Sequence, residues 1–122
     1  MGVRAAGNSA SPSAKMKRGT VCWINLEDAT PPEFAKTRPG IIVSNSEQNT
    51  LLQTVVAVPL STNAPAIWPL RLRLEMPNLK ISYAILPGIR QVTKTRLLDI
   101  IDLAPAKFMR LLDQALDSYL RD

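Results

Sequence analysis

Histidine is absent from this 122-residue chain, and cysteine occurs only once. Without histidine the chain cannot run a Ser-His-Asp or Cys-His mechanism, and it lacks the commonest metal ligand of proteins. A single cysteine excludes an internal disulfide and a thiolate cluster, and the apolar surroundings of Cys22 predict a buried thiol. We therefore expect no metal and no cofactor. Acid–base chemistry is left to Glu, Asp, Arg, Lys, Tyr or hydroxyl groups.

Long apolar runs are also missing. No stretch approaches the roughly 18 apolar residues of a membrane span, and the polar N-terminus lacks the apolar segment of a secretory signal. These absences predict a cytoplasmic protein without membrane contact. Residues 1–15, small and polar with no apolar periodicity, predict a disordered N-terminal extension. Residues 16–122 predict one domain, large enough to bury a core.

The positive charge of the chain is unevenly distributed. The formal net charge is +5, and residues 1–15 contribute +2 of it. Residues 16–97 hold ten basic against five acidic side chains, whereas residues 98–122 hold three basic against five acidic. The basic part thus favours a polyanion or an acidic peptide as partner, although an ordinary solvated basic surface explains the charge equally well.

Two β-branched runs around a polar connection predict a hairpin. The first includes Ile41 and Ile42, the second covers Thr54–Leu60, and the polar residues 46–53 lie between them. With the centre of the hairpin near Asn49, residue i faces residue 99 − i, so Arg38 faces Ser61. Opposed strand residues have β-carbons roughly 5 Å apart. A guanidinium and a hydroxyl at one strand end would suit a phosphate.

The remaining pattern predicts a mainly β fold that ends in a helix. Leu70–Leu74 alternates, which directs Arg71 and Arg73 away from the core. After Pro105, apolar residues at three-four spacing predict a helix. Six or seven short strands and one helix predict a strongly bent sheet or small barrel, capped by that helix. The other predicted strands are Thr20–Leu26, Ser82–Leu86, Ile89–Thr93 and Asp99–Leu103.

Four motifs follow one another along the chain. They are Gly19, Trp23 and Leu26 in the first strand; Glu33 five residues ahead of Arg38-Pro39; the strand end Pro59-Leu60-Ser61-Thr62; and the segment Ile89–Leu97. In this order they resemble the MazF/PemK (Kid-like) family, the toxins of type II toxin–antitoxin pairs. The resemblance extends over essentially all of residues 16–122 and depends on the order of the motifs, since each alone is weak.

This resemblance implies an SH3-like barrel of the kind found in MazF and CcdB, assembled as a homodimer. It also implies a metal-independent, sequence-selective endoribonuclease that cleaves single-stranded mRNA by attack of the 2′-hydroxyl. The implied protein partner is a cognate antitoxin whose acidic, disordered tail occupies the RNA groove.

The same resemblance assigns roles to individual residues. Arg38 would stabilise the charge on the non-bridging phosphate oxygens, and Ser61 would donate a hydrogen bond to the scissile phosphate. Glu33 would act as a base or orient Arg38. The predicted RNA contacts are Thr62, Trp68, Arg71, Arg73, Arg90, Lys94 and Arg96. Trp68 is the expected base-stacking residue among them, whereas Trp23 is expected in the core.

Residue types alone also allow purely structural roles. Arg38 paired with Glu33 would pin a loop, Ser61 would simply end a strand, and the arginines of Leu70–Leu74 would form a solvated face. The chain departs from the family at Ser61, where relatives have threonine, and at Pro87-Gly88, where they have Glu/Asp-Gln. We expect activity to survive the first change, because the hydroxyl is kept.

Two other functions remain open from the sequence. The first is a non-catalytic toxin of the same fold that binds a protein target such as DNA gyrase, since the barrel also resembles the CcdB poison. The second is a basic nucleic-acid-binding barrel without activity. The Arg-Pro motif with its strand-end hydroxyl favours the nuclease, whereas the absence of the Glu/Asp-Gln pair leaves room for the alternatives.

Overall fold

The computed structural model describes residues 16–26 and 37–122. Within these ranges it contains seven β-strands and two α-helices, with short 3₁₀ turns at Leu86–Gly88 and Lys94–Arg96. The elements are β1 (Thr20–Asn25), β2 (Thr37–Ile42), α1 (Ser46–Leu51), β3 (Thr54–Ser61), β4 (Arg71–Met76), β5 (Leu79–Ile85), β6 (Arg90–Thr93), β7 (Leu97–Leu103) and α2 (Ala106–Tyr119). Residues 1–15, predicted as an extension, lie outside the described ranges.

The strands form one antiparallel sheet in the order β4-β5-β3-β2-β1-β7. β6 is not part of this order and pairs with β3 alone. β3 pairs with β6 through Thr54–Ala57 and then with β5 through Leu60 and Ser61. The sheet curls as this strand changes partners, and α2 packs against one of its faces. The predicted mainly β fold with a C-terminal helix is confirmed.

The hairpin of β2 and β3 has the predicted register. Gly40 lies opposite Pro59 and Ile42 opposite Ala57, so that paired residue numbers sum to 99. The connection, however, is not the polar turn expected from its composition. It contains α1, because the Asn45 side chain accepts a 3.0 Å hydrogen bond from the Gln48 amide and caps the helix. The buried Asn49 then donates to the Ser44 carbonyl at 2.9 Å, which holds the helix against the sheet.

Two apolar clusters lie on opposite faces of the sheet. Neighbouring residues alternate between them, as Ile41 and Ile42 show. The first cluster lies under α2, which contributes Phe108, Leu112 and Ala115. The second lies on the other face and includes Cys22, whose burial raises the pKa of the thiol to about 12. The thiol is therefore buried, as predicted, and remains protonated at neutral pH.

No helix in the described ranges is long and apolar enough to cross a membrane.

Candidate functional site

A cleft of about 500 Å³ opens at the ends of the central strands. Arg38 from β2 and Ser61 from β3 both line it, and both side chains are half-buried. The other lining residues come from β1, from the start of β2, from the end of β3 and the residue after it, and from the β4–β5 turn with the adjoining part of β5. They include Trp23, Thr37, Leu60, Thr62, Asn78 and Lys80. The guanidinium and the hydroxyl that were predicted to share one site thus border the same cleft.

Sheet register explains why these groups meet. Continuing the β2–β3 register two residues beyond Gly40 and Pro59 places Arg38 opposite Ser61. Ser61 pairs in turn with Tyr83 of β5, and Tyr83 pairs with Arg73 of β4. Cross-strand partners face the same side of a sheet, so these four residues form one row. With strands about 4.8 Å apart, the row is about 14 Å long.

The adjacent row of residues has the opposite environment. Leu60 pairs with Ala84, and Ala84 pairs with Leu72, all three buried in the cluster under α2. Because successive strand residues alternate in direction, the row that contains Ser61 must face away from this core. A polar row is thereby held on a sheet whose other face is tightly packed.

The Ser61 hydroxyl is already oriented by the backbone. Its Oγ accepts a 3.1 Å hydrogen bond from the amide of Asn63, which closes a short turn at the end of β3. A hydroxyl accepts through its lone pairs and donates through its single O–H. This turn uses only an acceptor function and leaves the proton to donate to an oxygen in the cleft.

Pro59, two residues before Ser61, is packed against two glycines. It pairs with Gly40 on one side. On the other side, a Cβ added at Gly88 would lie 2.7 Å from its Cγ, so the 3₁₀ turn Leu86–Gly88 requires glycine at this position. The turn therefore packs its backbone directly on the Pro59 ring.

Trp23 was predicted in the core, and this prediction is wrong. The side chain is 39% exposed and lines the cleft. The β1 sequence is apolar on both faces, so its periodicity could not reveal which face is covered. Asn78 and Lys80 were also missed as cleft residues; the only signal was the turn marked by Pro77-Asn78.

The predicted RNA contacts separate into two groups. One group lies close to Arg38: Thr62 lines the same cleft, and Arg90 borders a small depression that Arg38 also lines. Arg90 pairs with Ala57 of the second cluster, which places it on the same face as Ser61. Arg71 and Arg73 do not lie close to Arg38, because β4 is three strands from β2 and neither residue lines the cleft. Arg71 is half-buried, and Arg73 forms an ion pair with Glu75, both side chains of the pair being more than half exposed.

The second group lies away from the cleft. Lys94 follows Thr93, which pairs with Thr54 at the opposite end of β3 from Ser61, a separation of about 23 Å along the strand. Arg96 donates from Nη1 to the Asn25 carbonyl at 3.2 Å and so holds the end of β1. Trp68 is 52% exposed but does not line the cleft. Glu33 lies outside the described residues.

Metal ligands do not converge in the described part of the chain. No group of three or more His, Cys, Asp or Glu side chains is placed there to hold an ion. Cationic and hydroxyl groups line the cleft instead, and such groups suit an anionic ligand such as a phosphate.

A curled antiparallel sheet, a helix on one face and a cleft with cationic and hydroxyl groups at the strand ends define a small β domain with one candidate site. Residues 17–120 match the family of PemK-like, MazF-like toxins of type II toxin–antitoxin systems. The chain belongs to this family, and the identification from its four motifs is confirmed.

Individual relatives support the same assignment. The chain is 26% identical over 113 residues to Endoribonuclease MazF9 of Mycobacterium tuberculosis, covering 86% of this chain and 96% of the relative. An endoribonuclease from a mycobacterial species solved in complex with its cognate antitoxin is similar with a TM-score of 0.72 and 26% identity, covering 85% of this chain and 93% of that one. MazF of Deinococcus radiodurans shares the fold with a TM-score of 0.73 and 20% identity, covering 85% and 94% of the two chains.

Proposed function

We propose that this chain is a toxin whose cleft cleaves single-stranded mRNA without a metal ion. The observation that carries the proposal is that Arg38 and Ser61 line one cleft at the ends of adjacent strands. The relatives named as endoribonucleases support the enzyme over the two non-catalytic alternatives, gyrase binding and passive nucleic-acid binding.

The proposed reaction needs no external nucleophile. The 2′-oxygen of the RNA forms a bond to the adjacent phosphorus while the bond to the 5′-oxygen breaks, leaving a cyclic phosphate and a 5′-hydroxyl. The 2′-proton passes to a base, and a proton is delivered to the leaving oxygen. Negative charge builds on the non-bridging oxygens, and preorganised donors aimed at it contribute several kcal/mol, roughly 3–4 for a single donor.

Arg38 is the proposed donor to these oxygens. It comes from a strand whose next residues are packed in the core, so the fold orients its backbone before substrate binds. Ser61 would donate its O–H to the same phosphate. Glu33 is the proposed base or orienting carboxylate, a role that rests on the motif spacing alone.

The row that continues from Ser61 is the proposed path of the RNA. Tyr83 and Arg73 follow it across β5 and β4, and Arg71 and Arg90 lie on the same face. Arginines spaced across two strands suit successive phosphates of an extended strand. Trp23 is exposed at the cleft and is a proposed stacking surface for a base; it pairs with Pro39, so it lies on the opposite face of the sheet from the Ser61 row.

The proposed assembly follows from the family. An acidic antitoxin is the expected partner, because a solved relative is bound to its cognate antitoxin and the basic part of this chain suits an acidic segment. We further propose a homodimer acting in the cytoplasm.

The test is to incubate the purified chain with mixed-sequence single-stranded RNA in EDTA. We expect fragments with cyclic phosphate and 5′-hydroxyl ends, and their loss in Arg38→Ala. Gyrase inhibition without RNA cleavage, or salt-sensitive RNA binding without cleavage, would instead establish one of the alternatives.

A further inference from the structure

The proposed reaction needs a proton donor for the leaving 5′-oxygen, and few groups in the cleft can serve. A general acid at such a position typically contributes about 10²–10⁴-fold to the rate. The hydroxyl groups that line the cleft, such as those of Ser61 and Thr62, are as weakly acidic as the leaving alcohol itself. A guanidinium scarcely gives up a proton in proteins. Arg38 is therefore suited to hold charge rather than to donate a proton.

Lys80 carries the one ammonium group among the described residues of the cleft. The side chain is exposed at the start of β5. A lysine ammonium has three N–H donors on a flexible stem, and it releases a proton far more readily than a guanidinium does. Within residues 16–26 and 37–122, no carboxylate forms an ion pair with Lys80. The ammonium is thus available to a bound phosphate.

The strand order places Lys80 and Arg38 on opposite sides of Ser61. β3, which carries Ser61, lies between β2, which carries Arg38, and β5, which carries Lys80. Ser61 pairs with Tyr83, and Lys80 lies three residues, about 10 Å, further along β5 in the direction in which β3 ends. All three side chains line the same cleft. A phosphate held at the end of β3 would lie between the guanidinium and the ammonium.

In-line displacement requires groups placed in this way. The attacking 2′-oxygen and the leaving 5′-oxygen lie on opposite sides of the phosphorus, and the non-bridging oxygens lie between them. Arg38 is the proposed donor to the non-bridging oxygens. The leaving oxygen is a separate atom at the edge of the phosphate, so it needs a second donor. Lys80 can approach it from the β5 side of the cleft.

The backbone that carries Lys80 is anchored on both sides. Ser82, which is 1% exposed, donates from its Oγ to the Lys80 carbonyl at 2.8 Å. Leu79 pairs with Met76 of β4 and packs against the apolar cluster under α2. The flexible side chain therefore starts from a fixed point at the wall of the cleft, which limits the positions that its ammonium can take.

We propose that Lys80 is the general acid of the reaction. As the bond between phosphorus and the 5′-oxygen breaks, the ammonium gives one proton to that oxygen, and the electron pair of the N–H bond stays on Nζ. The products are a 5′-hydroxyl and a neutral amine, which takes up a proton from water before the next turnover. The 2′-proton leaves separately to the base. This role rests on the proposed function and supplies its proton donor.

The test replaces the leaving oxygen by sulfur. A short RNA that contains the bond cut in the mixed-sequence assay is made with either 5′-oxygen or 5′-sulfur at that bond. A thiol is much more acidic than an alcohol, so sulfur leaves as a thiolate without a proton. Lys80→Ala should lower the single-turnover rate by about 10²-fold or more on the oxygen substrate, and by less than about threefold on the sulfur substrate. Retained cleavage of the sulfur substrate also shows that the variant is folded.

Three further variants separate proton donation from attraction of the phosphate by charge. Lys80→Arg keeps the positive charge but not the proton donor, so it should be as slow as Lys80→Ala on the oxygen substrate. Arg38→Ala should slow cleavage of both substrates, because charge builds on the non-bridging oxygens in either case. Lys107→Ala removes an exposed lysine of α2 that does not line the cleft, and it should leave both rates unchanged.

The outcomes distinguish failure of this role from failure of the proposed enzyme. Equal losses of Lys80→Ala on the two substrates, no loss on the oxygen substrate, or an unchanged rate in Lys80→Arg would each overturn the assignment of Lys80. The unaltered chain would still cleave RNA in these cases, so the proposed function would stand. If the unaltered chain cleaves no RNA, the proposed function is refuted, and the role of Lys80 is refuted with it.

Discussion

Leu60 and Ser61 are consecutive residues of β3 with opposite environments. Leu60 is 1% exposed beneath α2, and its cross-strand partner Ala84 is fully buried. Ser61 is half-buried on the opposite face, in the row that contains Tyr83 and Arg73, although Leu60 and Ser61 both border the cleft. The comparison teaches that the core and the candidate site are interleaved on the same strands, one residue apart. Substitutions in the two rows should therefore separate stability from activity.

The largest effect is expected in the buried row. Leu60→Ala removes a fully buried side chain between the sheet and α2 and should lower the free energy of unfolding by about 2–5 kcal/mol. Denaturant titration measures this directly. Cleavage per folded molecule should change far less, and a severe loss of that specific activity with unchanged stability would contradict the separation.

The next effect is expected at the adjacent position. Ser61→Ala removes the proposed donor to the phosphate and should lower kcat by about 10²-fold, with the unfolding midpoint nearly unchanged. Ser61→Thr is the matched control, because it keeps the hydroxyl and should retain activity. Single-turnover cleavage measures both variants, and equal rates for alanine and serine would remove Ser61 from the mechanism.

The pairing of Arg38 with Ser61, the family and the burial of Cys22 could all be predicted from the sequence. Arg38 and Ser61 could be paired in advance because strand alternation and a hairpin centre near Asn49 determine the register. The motif order identified the family, and Cys22 was correctly expected to be buried. In each case the information is local, or is contained in the spacing of one hairpin.

The features that sequence reasoning missed depend on contacts between distant segments. Trp23 lies in a strand that is apolar on both faces, and only the assembled sheet shows which face remains open. Tyr83 lies in the Ser61 row because β3 changes its partner from β6 to β5. No local sequence pattern indicates this change. The helix α1 depends on a cap by Asn45 within a segment whose composition indicated only a turn.

A smaller effect is expected at Gly88, whose backbone packs on the ring of Pro59. Gly88→Ala introduces a Cβ against the Pro59 ring and should cost about 1–3 kcal/mol of stability. Because Pro59 precedes Ser61 by two residues, a modest fall in cleavage should accompany this loss. Pro87→Ala at the exposed neighbour is the control, and thermal unfolding compares the two. Equal stability for both variants would mean that the turn does not constrain Pro59.

The smallest effect is expected at the far end of the polar row. Arg73→Ala should weaken RNA binding and lower the salt dependence of log Kd by about 0.7, the value for one phosphate contact on a single strand. Stability should change by less than about 1 kcal/mol, because the ion pair with Glu75 is exposed. Arg121→Ala is the control. An unchanged salt dependence of log Kd would mean that RNA does not contact Arg73, and the proposed RNA path would then extend only to Tyr83.

The most direct test of the account is a double-mutant cycle on Arg38 and Ser61, measured as single-turnover cleavage in EDTA with thermal unfolding as the check on folding. If both groups act on one scissile phosphate, the double variant should be little slower than the slower single variant, because the losses are not independent. Losses that simply multiply, with all variants folded, would contradict a shared phosphate at this cleft.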